Sequence, residues 1–100
     1  MRSSVPKYDL TTIQTMIANG EYRITFSAMR DAAIIDYDSK DIKRIVLSLR
    51  TDDFYKSMPS HKNEMIWQDV YHKTIQEDGI TLYIKLQIVK DAIIISFKEK

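Results

Sequence analysis

Cysteine is absent from the 100-residue sequence, and glycine and proline occur only twice each. Without cysteine the chain can form neither a disulfide nor a thiolate metal site, and its two histidines, His61 and His72, cannot make a conventional zinc site without carboxylate ligands. Neither Gly20 nor Gly79 has a second glycine nearby, which excludes the glycine-rich loop of nucleotide-binding folds. We therefore expect a protein that needs no metal ion and no other cofactor.

Long apolar runs and a strong charge of either sign are also missing. No run approaches the roughly 20 apolar residues that cross a bilayer, and the segment MRSSVPKYDL lacks the apolar stretch of a signal peptide, so we expect a cytoplasmic protein without membrane contact. The formal net charge is +1, whereas nucleic-acid-binding domains usually carry a clear basic excess. Any nucleic-acid site must therefore be a local arrangement of a few cations.

Hydrophobic residues make up 44% of the chain and charged residues 29%, which is typical of a single ordered domain, here residues 1–100. In the first half, Leu10, Ile13 and Ile17 recur at helical spacing after Asp9, a favourable N-cap, and a similar apolar stripe marks SKDIKRIVLSL. Between these helices, EYRIT predicts a short edge strand over 22–25, and Ser27 is predicted to cap a further helix.

The segment DFYKSM, residues 53–58, predicts one amphipathic helical turn that Thr51 or Asp52 would cap, with Lys56 facing water. After a polar stretch, the apolar period changes from 3.6 to 2. Three strands with short links follow, in MIWQDVYHKTI, ITLYIKLQIV and AIIISFKEK. They predict an antiparallel meander whose apolar face the helices cover, which makes the fold class α+β.

The polar face of this meander is the best place for chemistry. The side chains that parity would gather there are Tyr83, Lys85, Ser96 and Lys98, with Ile95 and Phe97 on the opposite face. Exposed strand faces often carry Tyr, Thr and Lys without any function, so this pattern alone favours the ordinary interpretation.

Other titratable groups are weaker candidates. No serine is placed by its spacing beside a histidine, as a Ser-His-Asp triad requires, and the acidic pairs at 52–53 and 77–78 lie where a helix start and a turn ordinarily carry them. His61 lies in a polar loop and is expected to be solvated. His72, at a strand end, is either an ordinary surface histidine or a cation or proton donor that faces substrate.

Three six-residue segments, DFYKSM at 53–58, IWQDVY at 66–71 and ISFKEK at 95–100, are joined in order by a strand of the form LYIKLQIVKD. With ANGEYR and the SAM helix start, they resemble the MqsR family of motility quorum-sensing regulator toxins over nearly the whole chain. The resemblance implies the RelE-like α+β toxin fold and ribosome-independent cleavage of mRNA at GCU sites. It also implies neutralisation by an MqsA-type antitoxin, zinc-containing and DNA-binding, whereas the toxin alone would not bind DNA.

The resemblance also assigns roles to residues. The positions that it implies are catalytic are Lys56, Gln68, Tyr83 and Lys98. Tyr55 and Met58 belong to the first segment and would shape the base-binding surface. Two further substrate-binding positions depart from the family pattern, since His72 stands in place of an arginine and Lys90 in place of a histidine.

RNA can be cut without a metal ion if its 2′-hydroxyl is deprotonated, the charge on phosphorus is stabilised and the leaving oxygen is protonated. In this hypothesis Lys56 and Lys98 clamp the phosphate. Tyr83 donates to a phosphate oxygen or to the leaving group, and Gln68 orients the 2′-hydroxyl or reads a base edge. The general base is unassigned, with His72 the candidate whose ordinary pKa is suitable.

Side chains alternate between the two faces of a strand, so the face that Gln68 occupies determines where its neighbours lie. If it faces substrate, then Trp67 and Tyr71 must pack beneath the helices, and Asp69 must find a partner there or lie at the margin. A β-bulge would also reconcile the pattern.

Two other functions fit the same residues. One is a non-catalytic module that grips RNA or a protein partner with the same basic face. The other is an interaction protein whose strand edge near residues 22–25 pairs with a partner.

Overall fold

Three helices and one short strand make up the first half of the computed structural model, which describes residues 2–100, and strands dominate the second half. The helices are α1 (Leu10–Ala18), α2 (Phe26–Ile34) and α3 (Ser39–Leu47), and the strands are β1 (Tyr22–Ile24), β2 (Phe54–Pro59), β3 (Trp67–Ile75), β4 (Ile80–Val89) and β5 (Asp91–Glu99). The strands form one sheet in the order β1-β5-β4-β3-β2. No helix within residues 2–100 is long and apolar enough to cross a membrane.

The predicted meander and edge strand are both confirmed. Strands β2 to β5 are antiparallel to their neighbours, and β1 joins β5 in parallel, with Tyr22 opposite Ala92 and Ile24 opposite Ile94. The α+β class is likewise confirmed, and the arrangement is compatible with a RelE-like toxin fold.

Side-chain caps define where the helices begin. Asp9 accepts from the amide of Thr12 at the start of α1, as predicted. Helix α2 starts slightly earlier than predicted, because the hydroxyl of Thr25, and not that of Ser27, accepts from the amide of Ala28. Thr25 leaves β1 with an extended backbone, so it is the first residue placed to cap the next turn.

The core lies between the helices and one face of the sheet, which we call the inner face. Its buried sheet residues are Tyr71, Leu82, Ile84, Leu86, Ala92, Ile94 and Phe97, and its buried residues from α1 and α3 are Leu10, Ile13, Ile17, Ile42, Ile45 and Val46. Each large side chain buried in this way contributes about 1.5–3 kcal/mol, so this layer supplies most of the stability. Among the described residues, no helix packs over the opposite face, which we call the outer face.

The prediction of a helical turn at DFYKSM is wrong. Only Thr51–Asp53 forms a short 3₁₀ turn, in which the Asp53 carboxylate accepts from the Arg50 amide. From Phe54 the backbone is extended as β2 and pairs with β3. A six-residue helix is unstable by itself, whereas β3 offers a row of backbone hydrogen bonds, so tertiary pairing overrides the local pattern.

The prediction that Ile95 and Phe97 share a face is also wrong. Ser96 lies opposite Lys85 and Ile94 lies opposite Leu86, which leaves Ile95 as the extra residue of a β-bulge. Ile95 therefore reaches the outer face, while Phe97 is fully buried in the core.

Candidate active site

Residues opposite one another on neighbouring strands point to the same face of a sheet, and this register arranges the outer face in three rows. The aromatic row is Lys98, Tyr83 and His72; the lysine row is Ser96, Lys85, Val70 and Lys56; the amide row is Arg23, Ile93, Gln87, Gln68 and Met58. Most of the residues predicted to be functional therefore lie on one surface.

A second β-bulge brings Tyr55 to the same face. Phe54 lies opposite Tyr71 and Lys56 lies opposite Val70, so Tyr55 has no partner of its own. Because the extra residue interrupts the alternation, Tyr55 and its neighbour Lys56 both project outward. Phe54 turns inward, where its ring packs edge-on against Tyr71 at 5.7 Å between centroids.

Three rings form a continuous aromatic surface. The rings of Tyr55 and His72 are stacked, with centroids 4.2 Å apart and planes inclined by 22°. The His72 ring lies 5.9 Å from that of Tyr83. Single-stranded RNA is bound by stacking of its exposed bases on such rings, and Tyr55 is exposed and accessible to a base.

Cations surround these rings. The Nζ atoms of Lys98 and Lys85 lie 5.4 Å and 5.8 Å from the centre of the Tyr83 ring, and that of Lys56 lies 5.6 Å from the centre of the Tyr55 ring. Arg2 approaches Tyr55 at 5.4 Å. The site is therefore strongly positive even though the chain has a net charge of only +1.

This environment changes the acid–base properties of three groups. Burial, with the nearby charges of Lys98 and Lys56, lowers the pKa of Lys85. Burial, with Lys100 and Lys56, lowers the pKa of His72 below its ordinary 6.5, so the imidazole is neutral at pH 7. Burial and the neighbouring Tyr55 raise the pKa of Tyr83, so its phenol keeps its proton.

Gln68 faces outward, next to Gln87, and β3 pairs with β4 without a bulge. Tyr71 is packed in the core under the helices, and the buried carboxylate of Asp69 accepts from the amides of Lys7 and Tyr8 at 3.0 and 2.9 Å. The prediction that Asp69 must find a partner is confirmed. Its partner is the segment that precedes α1.

Trp67 differs from its prediction. It is half-buried against the N-terminal segment and not under the helices: Tyr8 donates to its carbonyl at 2.8 Å, and Lys7 Nζ lies 5.9 Å from its ring. The backbone of that segment pairs with β2 through Ser3 and Ser57, which places it beside Trp67.

The structure brings together most, but not all, of the predicted site residues. The residues that meet around the aromatic row are Tyr55, Lys56, His72, Tyr83 and Lys98. Gln68 and Met58 lie beyond the lysine row, in the amide row. Lys90 lies in the β4–β5 turn, seven positions from Tyr83 along the chain, or about 23 Å at 3.3 Å per residue, so it is remote from this cluster.

Four residues at or beside this site were not predicted from the sequence to be functional. They are Arg2, Lys100, Arg23 and Gln87. The parity of the last two strands could have indicated Gln87. Nothing in the sequence could have indicated Arg2, because its approach to Tyr55 depends on how the N-terminal segment crosses β2. Within residues 2–100, no group of three or more histidine or acidic side chains is arranged to hold a metal ion.

This chain is a small α+β protein that surrounds stacked rings with lysines on an open sheet face, an arrangement compatible with the compact RelE-like toxins. The family model described as "Motility quorum-sensing regulator, toxin of MqsA" matches residues 5–99. The chain is also 32% identical over 100 residues, covering 100% of both chains, to the mRNA interferase toxin MqsR of Escherichia coli (strain K12). The chain therefore belongs to the MqsR toxin family.

Proposed function

We propose that this chain is the toxin of a type II toxin–antitoxin system and an endoribonuclease that cleaves single-stranded mRNA at GCU sites, without a ribosome and without a metal ion. Residues 1–100 act as a single toxin domain in the cytoplasm, and cleavage inhibits translation and growth. The observation that carries the proposal is the convergence of Lys56, Lys85 and Lys98 on the aromatic surface. The printed activity of the relative at 32% identity supports it.

The lysines stabilise the charge that develops on phosphorus. The side-chain ammonium of a lysine is a compact positive charge with three hydrogen-bond donors, and Lys56 and Lys98 act here as cations. Both lie beside the aromatic row, where they clamp the scissile phosphate from two sides. Positioned cations of this kind commonly supply the largest part of transition-state stabilisation.

His72 removes the proton from the 2′-hydroxyl. Its imidazole is neutral at pH 7 because burial and the charges of Lys100 and Lys56 lower its pKa, and a neutral imidazole is a proton acceptor. It lies between Tyr55 and Tyr83, in the middle of the cationic site. The 2′-oxygen then bonds to phosphorus, and the bond from phosphorus to the 5′-oxygen breaks.

Tyr83 protonates the leaving 5′-oxygen. Its pKa is raised by burial and by Tyr55, so the phenol holds a proton at neutral pH, and the nearby charges of Lys85 and Lys98 stabilise the phenolate that forms when the proton leaves. The products are a 2′,3′-cyclic phosphate and a free 5′-hydroxyl. Gln68 lies beyond the lysine row, which favours base reading over orientation of the 2′-hydroxyl.

The partners proposed for this chain are mRNA and a zinc-containing, DNA-binding antitoxin of the MqsA type that neutralises it. The description of the matched family supports the second partner. The toxin itself contacts neither DNA nor a membrane. Tyr55 and Met58 shape the base-binding surface, which explains how a chain with a net charge of +1 can hold RNA through a few focused cations.

The test is incubation of the purified protein with a long RNA in excess EDTA. We expect fragments with defined ends, and a loss of about 100- to 1,000-fold in kcat/KM for Lys56→Met and for Lys98→Met. Lys40→Met, which removes an exposed charge on α3, serves as the matched control and should cleave normally. Intact RNA that the protein nevertheless retains would instead support a non-catalytic binding module.

A further inference from the structure

A cavity of about 520 Å³ opens on the outer face next to the lysine row. Its floor and walls come from four strands of the sheet, from Thr25 and Ser27 at the start of α2, and from the β2–β3 connection at residues 60–63 and 66. Its volume lies within the range of about 300–1,000 Å³ that is usual for ligand sites. Of its lining residues, the mechanism proposed above uses Lys85 and Gln68, and it assigns no role to Arg23 or Gln87.

The charge of the cavity favours an anionic ligand. Arg23, Lys62 and Lys85 line it, and none of its lining residues within 2–100 is an aspartate or glutamate. Acidic side chains are nearly as numerous as basic ones in the whole chain, 14 against 15, so their exclusion from this lining is a local feature. Phosphate groups of a nucleic acid suit such a surface.

The polar centre of the cavity is a pair of glutamines. Gln68 and Gln87 are only 7% and 9% exposed, and Gln68 Nε2 donates to Gln87 Oε1 at 2.9 Å. The remaining oxygen of Gln68 and the remaining NH₂ of Gln87 make no hydrogen bond to the described residues, and neither is a fully buried atom without a partner. Both atoms therefore open into the cavity.

This result does not depend on how the two amides are oriented. If both side chains were flipped, Gln87 would donate to Gln68, and one donor and one acceptor would still face the cavity. Adjacent donors and acceptors are what the hydrogen-bonding edge of a nucleobase presents. Ile93 and Ile95 add an apolar surface against which the face of a base can lie.

Lys85 connects the cavity to the proposed catalytic cluster of Lys56, Tyr83 and Lys98. This side chain lines the cavity and also places its Nζ 5.8 Å from the centre of the Tyr83 ring. A strand of RNA whose scissile phosphate lies at Tyr83 therefore has a continuous path across the lysine row into the cavity.

We propose that this cavity is a subsite for one nucleobase that flanks the scissile phosphate, read by the Gln68–Gln87 pair, with Arg23 holding the next phosphate. The inference rests on the proposed function, because it requires RNA on the outer face. It extends that function by assigning base discrimination to Gln87 and Arg23, two residues outside the cluster of Lys56, Tyr83 and Lys98.

The first test compares the cut sites of the wild type with those of Gln87→Met, which removes the free amide but keeps the length of the side chain. A contact that makes two hydrogen bonds to a base is worth about 1–3 kcal/mol. Because Gln87→Met breaks the two-bond contact of the glutamine pair, we expect kcat/KM on the preferred sequence to fall by up to about 5- to 150-fold and the preference at one flanking base to disappear. Gln76→Met, on an exposed turn outside the cavity, is the matched control and should keep the wild-type profile. An unchanged profile for folded Gln87→Met would overturn the proposal.

A second test separates this inference from the proposed function. The affinities of the wild type, Gln87→Met and Arg23→Met are measured by fluorescence anisotropy for the four 2′-O-methyl RNA homopolymers, which cannot be cleaved. We expect Arg23→Met to weaken binding to all four and Gln87→Met to reduce the differences among them. Equal affinities for all three proteins would overturn the subsite even if RNA is cut, and wild type that binds selectively without cutting RNA would refute only the catalysis.

If Gln87→Met does not fold, as judged by its melting temperature, Gln87→Glu replaces it. The glutamate keeps an acceptor for Gln68 Nε2 and removes the free donor. The same loss of base preference is expected, and its retention would contradict the proposal.

Discussion

The two faces of the sheet use the same strands in different ways. On the inner face, alternation is regular and places Leu82, Ile84 and Leu86 in the core. On the outer face, two β-bulges interrupt the alternation, at Tyr55 in β2 and at Ile95 in β5. One bulge adds a ring to the aromatic surface and the other adds a wall to the cavity. Regular alternation thus builds the stable layer, and departures from it build the site.

The energetic roles of the two faces differ as well. Inner-face side chains lose contact with water and gain packing, which stabilises the fold. The outer face instead holds Lys56, Lys85 and Lys98 close enough that the pKa of Lys85 is lowered by burial and by the other two. Their mutual repulsion destabilises the folded state. Substitutions on the two faces should therefore separate stability from activity.

The largest effect is expected from neighbouring residues of β5 that point to opposite faces. Phe97→Ala should lower the free energy of unfolding by about 3–5 kcal/mol because it leaves a cavity in the core. Lys98→Ala should change it by no more than about 0.5 kcal/mol, since the side chain is exposed. Urea denaturation measures both. Similar values for the two variants would show that the faces do not differ in this way.

A smaller effect is expected from pH, through His72. Its neighbours are Tyr55 and Lys56 from β2, Tyr83 from β4 and Lys100 after β5. Only the neutral imidazole accepts a proton, so at acidic pH kcat/KM should rise about tenfold for each unit by which the pH increases. Because the pKa of His72 is lowered, this rise should level off before the pH reaches 6.5, the ordinary pKa of histidine. His72→Asn should lose about 100-fold in rate together with this acidic limb.

The same pKa has a consequence for stability. Because the folded pKa of His72 is lowered, the unfolded chain takes up the proton first as the pH falls. The contribution of His72 to stability is therefore present above pH 6.5 and is lost as the pH falls from 6.5 towards the folded pKa. The rate prediction can be contradicted in one way. If kcat/KM of the His72→Asn variant falls at acidic pH as it does in the wild type, His72 is not the general base.

Lys85 should show opposite signs for stability and activity. Lys85→Met removes a half-buried charge that repels Lys56 and Lys98, so we expect the free energy of unfolding to rise by about 0.5–2 kcal/mol, as relief of functional strain often does. RNA cleavage should fall at the same time. Calorimetry and cleavage assays on one preparation test the pair of effects, and a drop in both quantities would mean that Lys85 supports the fold.

The smallest effect is expected at Lys90, which is remote from the aromatic row. Its backbone has a φ of 70°, a left-handed conformation that favours glycine. Lys90→Gly should therefore raise the free energy of unfolding by about 0.5–1 kcal/mol, with cleavage unchanged. Loss of cleavage in this variant would show instead that RNA extends to the β4–β5 turn, as the substrate-binding prediction for Lys90 requires.

The sequence by itself determined the helices α1 and α3, the edge strand, the meander and the side of the sheet on which Tyr83 and Lys98 lie. These features are encoded in local periods and caps, which act within a few residues. Resemblance to a family, and not periodicity, singled out Lys56 and Gln68. Only the tertiary structure decided that DFYKSM is a strand, that Tyr55 and Ile95 are bulged residues and that Gln68 meets Gln87. The physical reason is that each of these three features depends on hydrogen bonds to a partner strand and on the register with it. Neither can be read from the residues within the segment itself.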